Sequence, residues 1–176
     1  MNPPLFQRVL GADFHALPPA VRALHGGCGS QVFAGVAAIE RGPHWLVSLL
    51  AWATRLPPAA PRVPVELELV VERCGERWNR DFGGHRMPSR LFLREWWLGE
   101  RLGAMEFEFE LKVPGDEIHW RVRRAWLFGL VRLPSFLFSQ VRCRERERGG
   151  RYEFLVEVAM PLIGPLIRYE GWLEPR

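Results

Sequence analysis

Residues 105–112 read Met105-Glu106-Phe107-Glu108-Phe109-Glu110-Leu111-Lys112, an unbroken alternation of apolar and charged side chains. A period of two is what a strand with one buried and one wet face requires, because successive side chains leave the pleated backbone on opposite sides. The pattern assigns Met105, Phe107, Phe109 and Leu111 to a core face and Glu106, Glu108 and Glu110 to solvent. Pro114-Gly115-Asp116 turns the chain back, and Ile118, Trp120, Val122, Arg124 and Trp126 carry the same period onward. Upstream, Val65, Leu67, Leu69 and Val71 alternate with glutamates. Gly75 marks a turn, Trp78, Arg80 and Phe82 share a face as far as Gly83-Gly84, and Leu91 to Leu98 is another candidate strand. Downstream, Val141–Glu147 and Tyr152–Val158 flank a hairpin signal at Gly149-Gly150, and Leu166–Leu173 follows a turn over Pro161–Pro165. Eight strands follow Val63, joined by connections too short for parallel crossovers. The expected fold is α+β, mainly antiparallel β: a strongly curved eight-stranded meander or barrel.

The 176 residues suit a single domain, 1–176, with residues 1–62 as a helical N-terminal part containing one strand and 63–176 as the β meander. Pro3-Pro4 and Pro18-Pro19 open two short helices that stop at Gly11 and Gly26-Gly27. Ser30–Arg41 alternates small apolar residues as a strand. Pro43–Leu56 is the one strong helix, with Trp45, Leu49, Trp52 and Leu56 as a stripe and Leu46, Leu50 and Ala53 widening it. So little of its circumference is polar that it is predicted to be buried on most sides. Pro57-Pro58-Ala59-Ala60-Pro61 ends it as a stiff connector.

Composition narrows the function. Lys and Arg number 24 against 20 Asp and Glu, giving a net charge of +4, and Lys112 is the only lysine. The arginines are spread among glutamates, and Arg142-Cys143-Arg144-Glu145-Arg146-Glu147-Arg148 alternates in sign. That is the pattern of ion pairs on a strand face, so no nucleic-acid partner is expected. Neither an apolar run of membrane-spanning length nor a secretory leader is seen, which predicts a soluble cytoplasmic protein. Cys28, Cys74 and Cys143 form no CxxC pair. The five histidines show no HxH or HExxH spacing, so no metal site is expected, and no serine sits in a GxSxG elbow. His85, beside Gly83-Gly84, is placed on a loop at a barrel mouth.

The informative signal is charge at apolar phase. Arg80 falls between Trp78 and Phe82, Arg124 between Val122 and Trp126, and Glu145 follows Val141 and Cys143. Arg168, Glu170 and Trp172 share a face of the last strand. An isolated charge inside a sheet is costly, so these groups must meet each other, water or a ligand. Arginine suits such a place because its fork grips carboxylates and its plane stacks on indole. The candidate ligand-binding set is therefore Trp78, Arg80, Phe82, Trp120, Arg124, Trp126, Glu145, Arg168 and Glu170, around an internal cavity. Two blander arrangements stay open. Arg80 or Arg124 pairs with Glu145 or Glu170 and nothing else binds, or a one-residue bulge turns the arginines outward.

The segments LFQRVLGADFHALPPAVRALH, GVAAIERG, VPVELELVVERCGERWNRDFGG, GDEIHWRVRRAWLFGLVRLP and RYEFLVEVAMPLIGPLIRYEGWLEP resemble the bacterial family known as domain of unknown function 4166, over nearly the whole chain. Relatives are often fused behind an NAD(P)-binding domain similar to saccharopine dehydrogenase, so the resemblance implies an NAD(P)-dependent oxidoreductase as a partner. This chain has no GxGxxG, and the resemblance brings it no cofactor of its own and no catalytic residue. Three functions are consistent with these features. The first is a module binding an apolar small molecule, the second a cofactor-free cyclase or isomerase using the same cavity. The third is a membrane-surface or interaction module presenting the Pro43–Leu56 helix. Burial of that helix makes membrane contact the less expected of them.

Overall fold

The computed structural model describes residues 3–176. The N-terminal segment holds helix α1 (Leu5–Leu10), a 3-10 turn over Gly11–Ala16 and helix α2 (Pro19–His25). Strand β1 (Ser30–Arg41) and helix α3 (Trp45–Thr54) follow. The rest is strand: β2 (Ala60–Glu72), β3 (Gly75–Phe82), β4 (His85–Arg94), β5 (Trp97–Leu102), β6 (Met105–Lys112) and β7 (Ile118–Leu127). After them come β8 (Val131–Leu133), a 3-10 turn over Ser135–Phe138, β9 (Gln140–Arg148), β10 (Arg151–Met160) and β11 (Gly164–Pro175).

Ten strands close into an antiparallel barrel in the order β1-β2-β3-β4-β5-β6-β7-β9-β10-β11, and β8 lies outside the ring on β7. The expected eight strands are thus too few. Leu91–Leu98 is a hairpin rather than one strand: Glu95, at φ 55°, turns β4 into β5. The short β8 adds another strand. The strand Ser30–Arg41 is part of the wall, pairing with β2 on one side and β11 on the other. The β9–β10 hairpin turns at Gly149 and Gly150, both at positive φ as glycine permits.

Antiparallel alternation sorts the connections to two ends. The β1–β2, β3–β4, β5–β6, β7–β8 and β10–β11 links emerge at one end, which α3 covers. The N-terminal helices plug the other. Phe6 and Leu5 of α1 and Val21, Leu24 and His25 of α2 are buried there, and α2 rests on β9 and β10. The β7–β9 seam is hydrogen-bonded only over Ile118–Trp120. Nearer the α3 end, β7 pairs with β8 instead.

Helix α3 corrects the sequence expectation of burial. Val47 and Ala51 face the barrel, while Trp45 is 73%, Leu49 55% and Trp52 79% exposed. The helix is apolar all round, so its pattern does not specify a face. It lies across the barrel's end, with the Ala104 amide donating to the Ala53 carbonyl at 3.1 Å. The strands line the interior with their own side chains, so the helix caps the barrel and does not enter it. Arg41 donates to the carbonyls of Leu56 and Pro57, fixing the helix exit, and His85 Nε2 donates to the Arg55 carbonyl at 3.0 Å.

Closure between β1 and β11 depends on close backbone approach at Gly35, where an added Cβ would stand 1.8 Å from the Trp172 carbonyl oxygen. Gly35→Ala is expected to destabilise the fold by about 3 kcal/mol, read as a lower midpoint in urea unfolding.

Candidate functional site

A cavity of about 230 Å³ lies inside the barrel. Aromatic and aliphatic side chains form most of its wall, among them Phe82 from β3, Phe107 and Phe109 from β6, Trp120 from β7, and Val156 from β10. Leu50 and Thr54 of α3, together with Leu133 and Phe138 beside the β7–β9 seam, line its other end. Few polar groups enter. Arg80, Glu100, Cys143, Glu145, Tyr152 and Tyr169 are the main ones.

Arg80 is held in place. Its Nη1 donates to Ser89 Oγ at 2.9 Å and its Nη2 to Glu100 Oε1 at 3.2 Å, while its guanidinium carbon lies 4.8 Å from the Trp78 ring centre. This is a buried ion pair braced by a cation–π contact. Toward the plugged end a second polar group forms. Glu145 Oε2 lies 2.5 Å from His25 Nε2, and the His25 ring stacks on Phe6 at 3.6 Å and on Trp78 at 5.7 Å. Trp78 Nε1 donates to the fully buried Glu76 at 3.0 Å. Burial pushes the Glu76 carboxyl above its ordinary value, against the hydrogen bond from Trp78 and the nearby His25. Burial, reinforced by Glu145, drives the Tyr152 hydroxyl far upward. Burial also raises the Cys143 thiol, with Glu100 and Glu145 adding to it, the opposite of the shift that activates a thiolate. The buried indole N–H of Trp120 has no acceptor among the described residues. Among the same residues no three His, Cys, Asp or Glu side chains converge as metal ligands do.

Five of the nine sequence-selected residues line this cavity: Trp78, Arg80, Phe82, Trp120 and Glu145. Four do not, and the expectation for them is corrected. Phe109 pairs with Val122 and Glu108 with Arg124, which leaves Arg123 as an extra residue in β7. That bulge reverses the alternation and puts Arg124 and Trp126 on the outer wall. Arg124 lies 3.6 Å from Glu108 there, and Arg94 stacks on Trp126 at 4.8 Å. Arg168 and Glu170 also face outward: Arg168 bonds Glu157 at 3.0 Å and Glu170 at 2.8 Å. Tyr169 and Leu173 take the inner face of β11.

The outer wall holds a further correction. Glu106 and Glu108, expected in solvent, are 2% and 1% exposed. Arg94 and Arg101 fold over Glu106 and bond it, Arg101 Nη2 at 2.7 Å. Burial alone would raise that carboxyl, but the hydrogen bonds from Arg101 and Arg94 hold it below its ordinary value.

Sequence reasoning missed His25, Glu76, Ser89 and Glu100. His25 stands at i+4 from Val21 on the buried stripe of α2, and Glu76 has the phase of Trp78, Arg80 and Phe82; both signals were present. Glu100 lies in β5, which the alternation did not separate from β4.

A family model described as Domain of unknown function (DUF4166) matches residues 17–173. No curated protein matches the chain. Among solved structures, one titled "Crystal Structure of Rv2717c from M. tuberculosis" is similar at 13% sequence identity and a TM-score of 0.47, covering 91% of this chain and 99% of that one.

Two variants test the buried charges. Arg80→Met strands Glu100 without its cation and is expected to cost about 3 kcal/mol, while Arg80→Met with Glu100→Leu recovers most of the loss in urea unfolding. For Glu76 the folded pKa lies above the unfolded value near 4.5, so the folded state retains a proton the unfolded chain has released. Stability therefore falls as pH rises from the unfolded toward the folded value. Glu76→Gln is expected to melt higher than the parent at about pH 8, with the gap closing toward about pH 4.

Proposed function

The chain belongs to that family, whose description assigns no activity, and we propose that its barrel binds an apolar small molecule carrying one oxygen acceptor. The observation that carries this is a cavity of about 230 Å³ whose aromatic wall is interrupted by a fixed guanidinium, Arg80. A dry cavity of roughly 150 Å³ already admits benzene, so this volume suits a somewhat larger guest. Few placed polar groups in an apolar enclosure are the pattern of a small-molecule site. A carboxylate or carbonyl would meet Arg80, and the hydrocarbon would lie against Phe82, Phe107 and Phe109. The oxidoreductase pairing implied by the family resemblance has no support in this geometry, and the proposed site does not depend on it.

A cofactor-free isomerase or cyclase is the alternative, favoured by one observation: Glu145 lines the same cavity and is oriented by His25. Glu145→Gln separates the two, since a binding module keeps its guest and an isomerase loses turnover.

Naphthoate serves as a probe of matching size and charge. Calorimetric titration is expected to show saturable one-to-one binding, weakened at least about tenfold by Val156→Trp, which fills the cavity. No binding by the parent protein, or equal affinity in the filled variant, rejects the proposal.

A further inference from the structure

The α3 end of the barrel is unlike the rest of the surface. Of the nine large apolar side chains that stand exposed among the described residues, only Trp96, on the β4–β5 turn, lies at the other end. Trp45, Leu49 and Trp52 project from α3. Phe128, Leu130 and Val131 come from the β7–β8 hairpin, Phe136 from the 3-10 turn after it, and Leu162 from the β10–β11 turn. Separate segments thus converge to make one apolar rim around one end of the barrel.

The charge on that rim has one sign. Segments 41–62, 128–142 and 158–167 contain five arginines and no Asp or Glu. Arg55, Arg62, Arg132 and Arg142 are exposed and have no carboxylate partner among the described residues. Elsewhere on the wall arginine and glutamate are interleaved. Two acids border the rim: Glu40, 3.9 Å from Arg168, and Asp81, which accepts from the Gly84 amide.

We propose that this end of the barrel docks on an anionic lipid bilayer. Exposed tryptophans beside arginines, without carboxylates, match the interfacial zone of a membrane, where indole sits at headgroup level and cations meet anionic lipids. Helix α3 has ten residues, and no helix among the described residues is long and apolar enough to cross a membrane, so α3 lies on the surface. A second copy is a poor occupant, because a two-fold contact through this face would set arginine against arginine. The docking surface stands independently of the cavity. If the guest proposed above is present, docking also brings the α3-side wall of its cavity against the phase in which apolar molecules dissolve.

The test is flotation of the full chain with vesicles of phosphatidylcholine alone or mixed with phosphatidylglycerol. The protein is expected to float with the mixed vesicles and to be released by added salt. Trp45→Ala with Trp52→Ala is expected to lower the bound fraction at least about tenfold without changing the melting temperature, since both side chains are exposed. Arg132→Glu with Arg142→Glu is expected to weaken binding to the mixed vesicles, and Trp96→Ala to leave it unchanged. Absence of flotation overturns the proposal, as does equal binding by the double tryptophan variant or equal loss in Trp96→Ala. A Trp45- and Trp52-dependent dimer or protein complex in place of vesicle binding overturns it as well. Flotation reads docking whether or not the cavity is filled, and naphthoate titration reads the cavity.

Discussion

A closed antiparallel sheet of eight strands is about as wide as its own inward side chains can fill, and this ring has ten. The extra circumference governs much of the molecule. Inward side chains reach only part of the way across, so the barrel needs material at its ends. One end takes α1 and α2, whose Phe6, Leu24 and His25 enter the core. The other end takes α3, which contributes Leu50 and Thr54 to the wall and leaves a void beneath. Ring closure itself depends on backbone contact at Gly35, a site with no room for any side chain.

The same width explains why charge is tolerated inside. In a filled barrel Arg80 would displace apolar packing. Here it spans toward Ser89 and Glu100 and rests on Trp78, and each contact lowers the cost of its burial. His25 and Glu145 solve the same problem at the plug, where α2 delivers one partner and β9 the other. The polar groups are thus distributed by element. Arg80, Glu106, Glu108 and Glu145 each meet a partner from a different strand or from the N-terminal helices, so these contacts fix register and docking together.

Much of this was legible from alternation alone wherever a strand keeps one face polar. β6 and β3 do so, and Phe107, Phe109, Trp78, Arg80 and Phe82 point where their phase places them. Legibility ends where the backbone departs from that period. The run Arg121-Val122-Arg123-Arg124 carries charge at both phases across the bulge, so nothing local marks where the alternation flips. In β11, Ile167 and Trp172 occupy opposite faces, and apolarity there does not identify the inside. Glu106 and Glu108 do point outward, but burial came from Arg94, Arg101 and Arg124 on neighbouring strands, which no local pattern encodes. Helix α3 is the extreme case: apolar on every side, it leaves only tertiary context to decide which residues are covered.

The seam between β7 and β9 has a mechanical consequence. Around most of the circumference neighbouring strands are laddered along much of their shared length, but these two are laddered only over Ile118–Trp120 and Cys143–Glu145. Beyond that point β7 is laddered to β8 instead, and Leu133 and Phe138 line the cavity there. Parting the cylinder along this line breaks no interstrand amide pairing between β7 and β9 past Trp120. Leu133 is carried by β8, itself laddered to β7, and Phe138 by the turn that packs on β7 and β10, so at this seam cohesion passes from interstrand amide pairing to apolar packing.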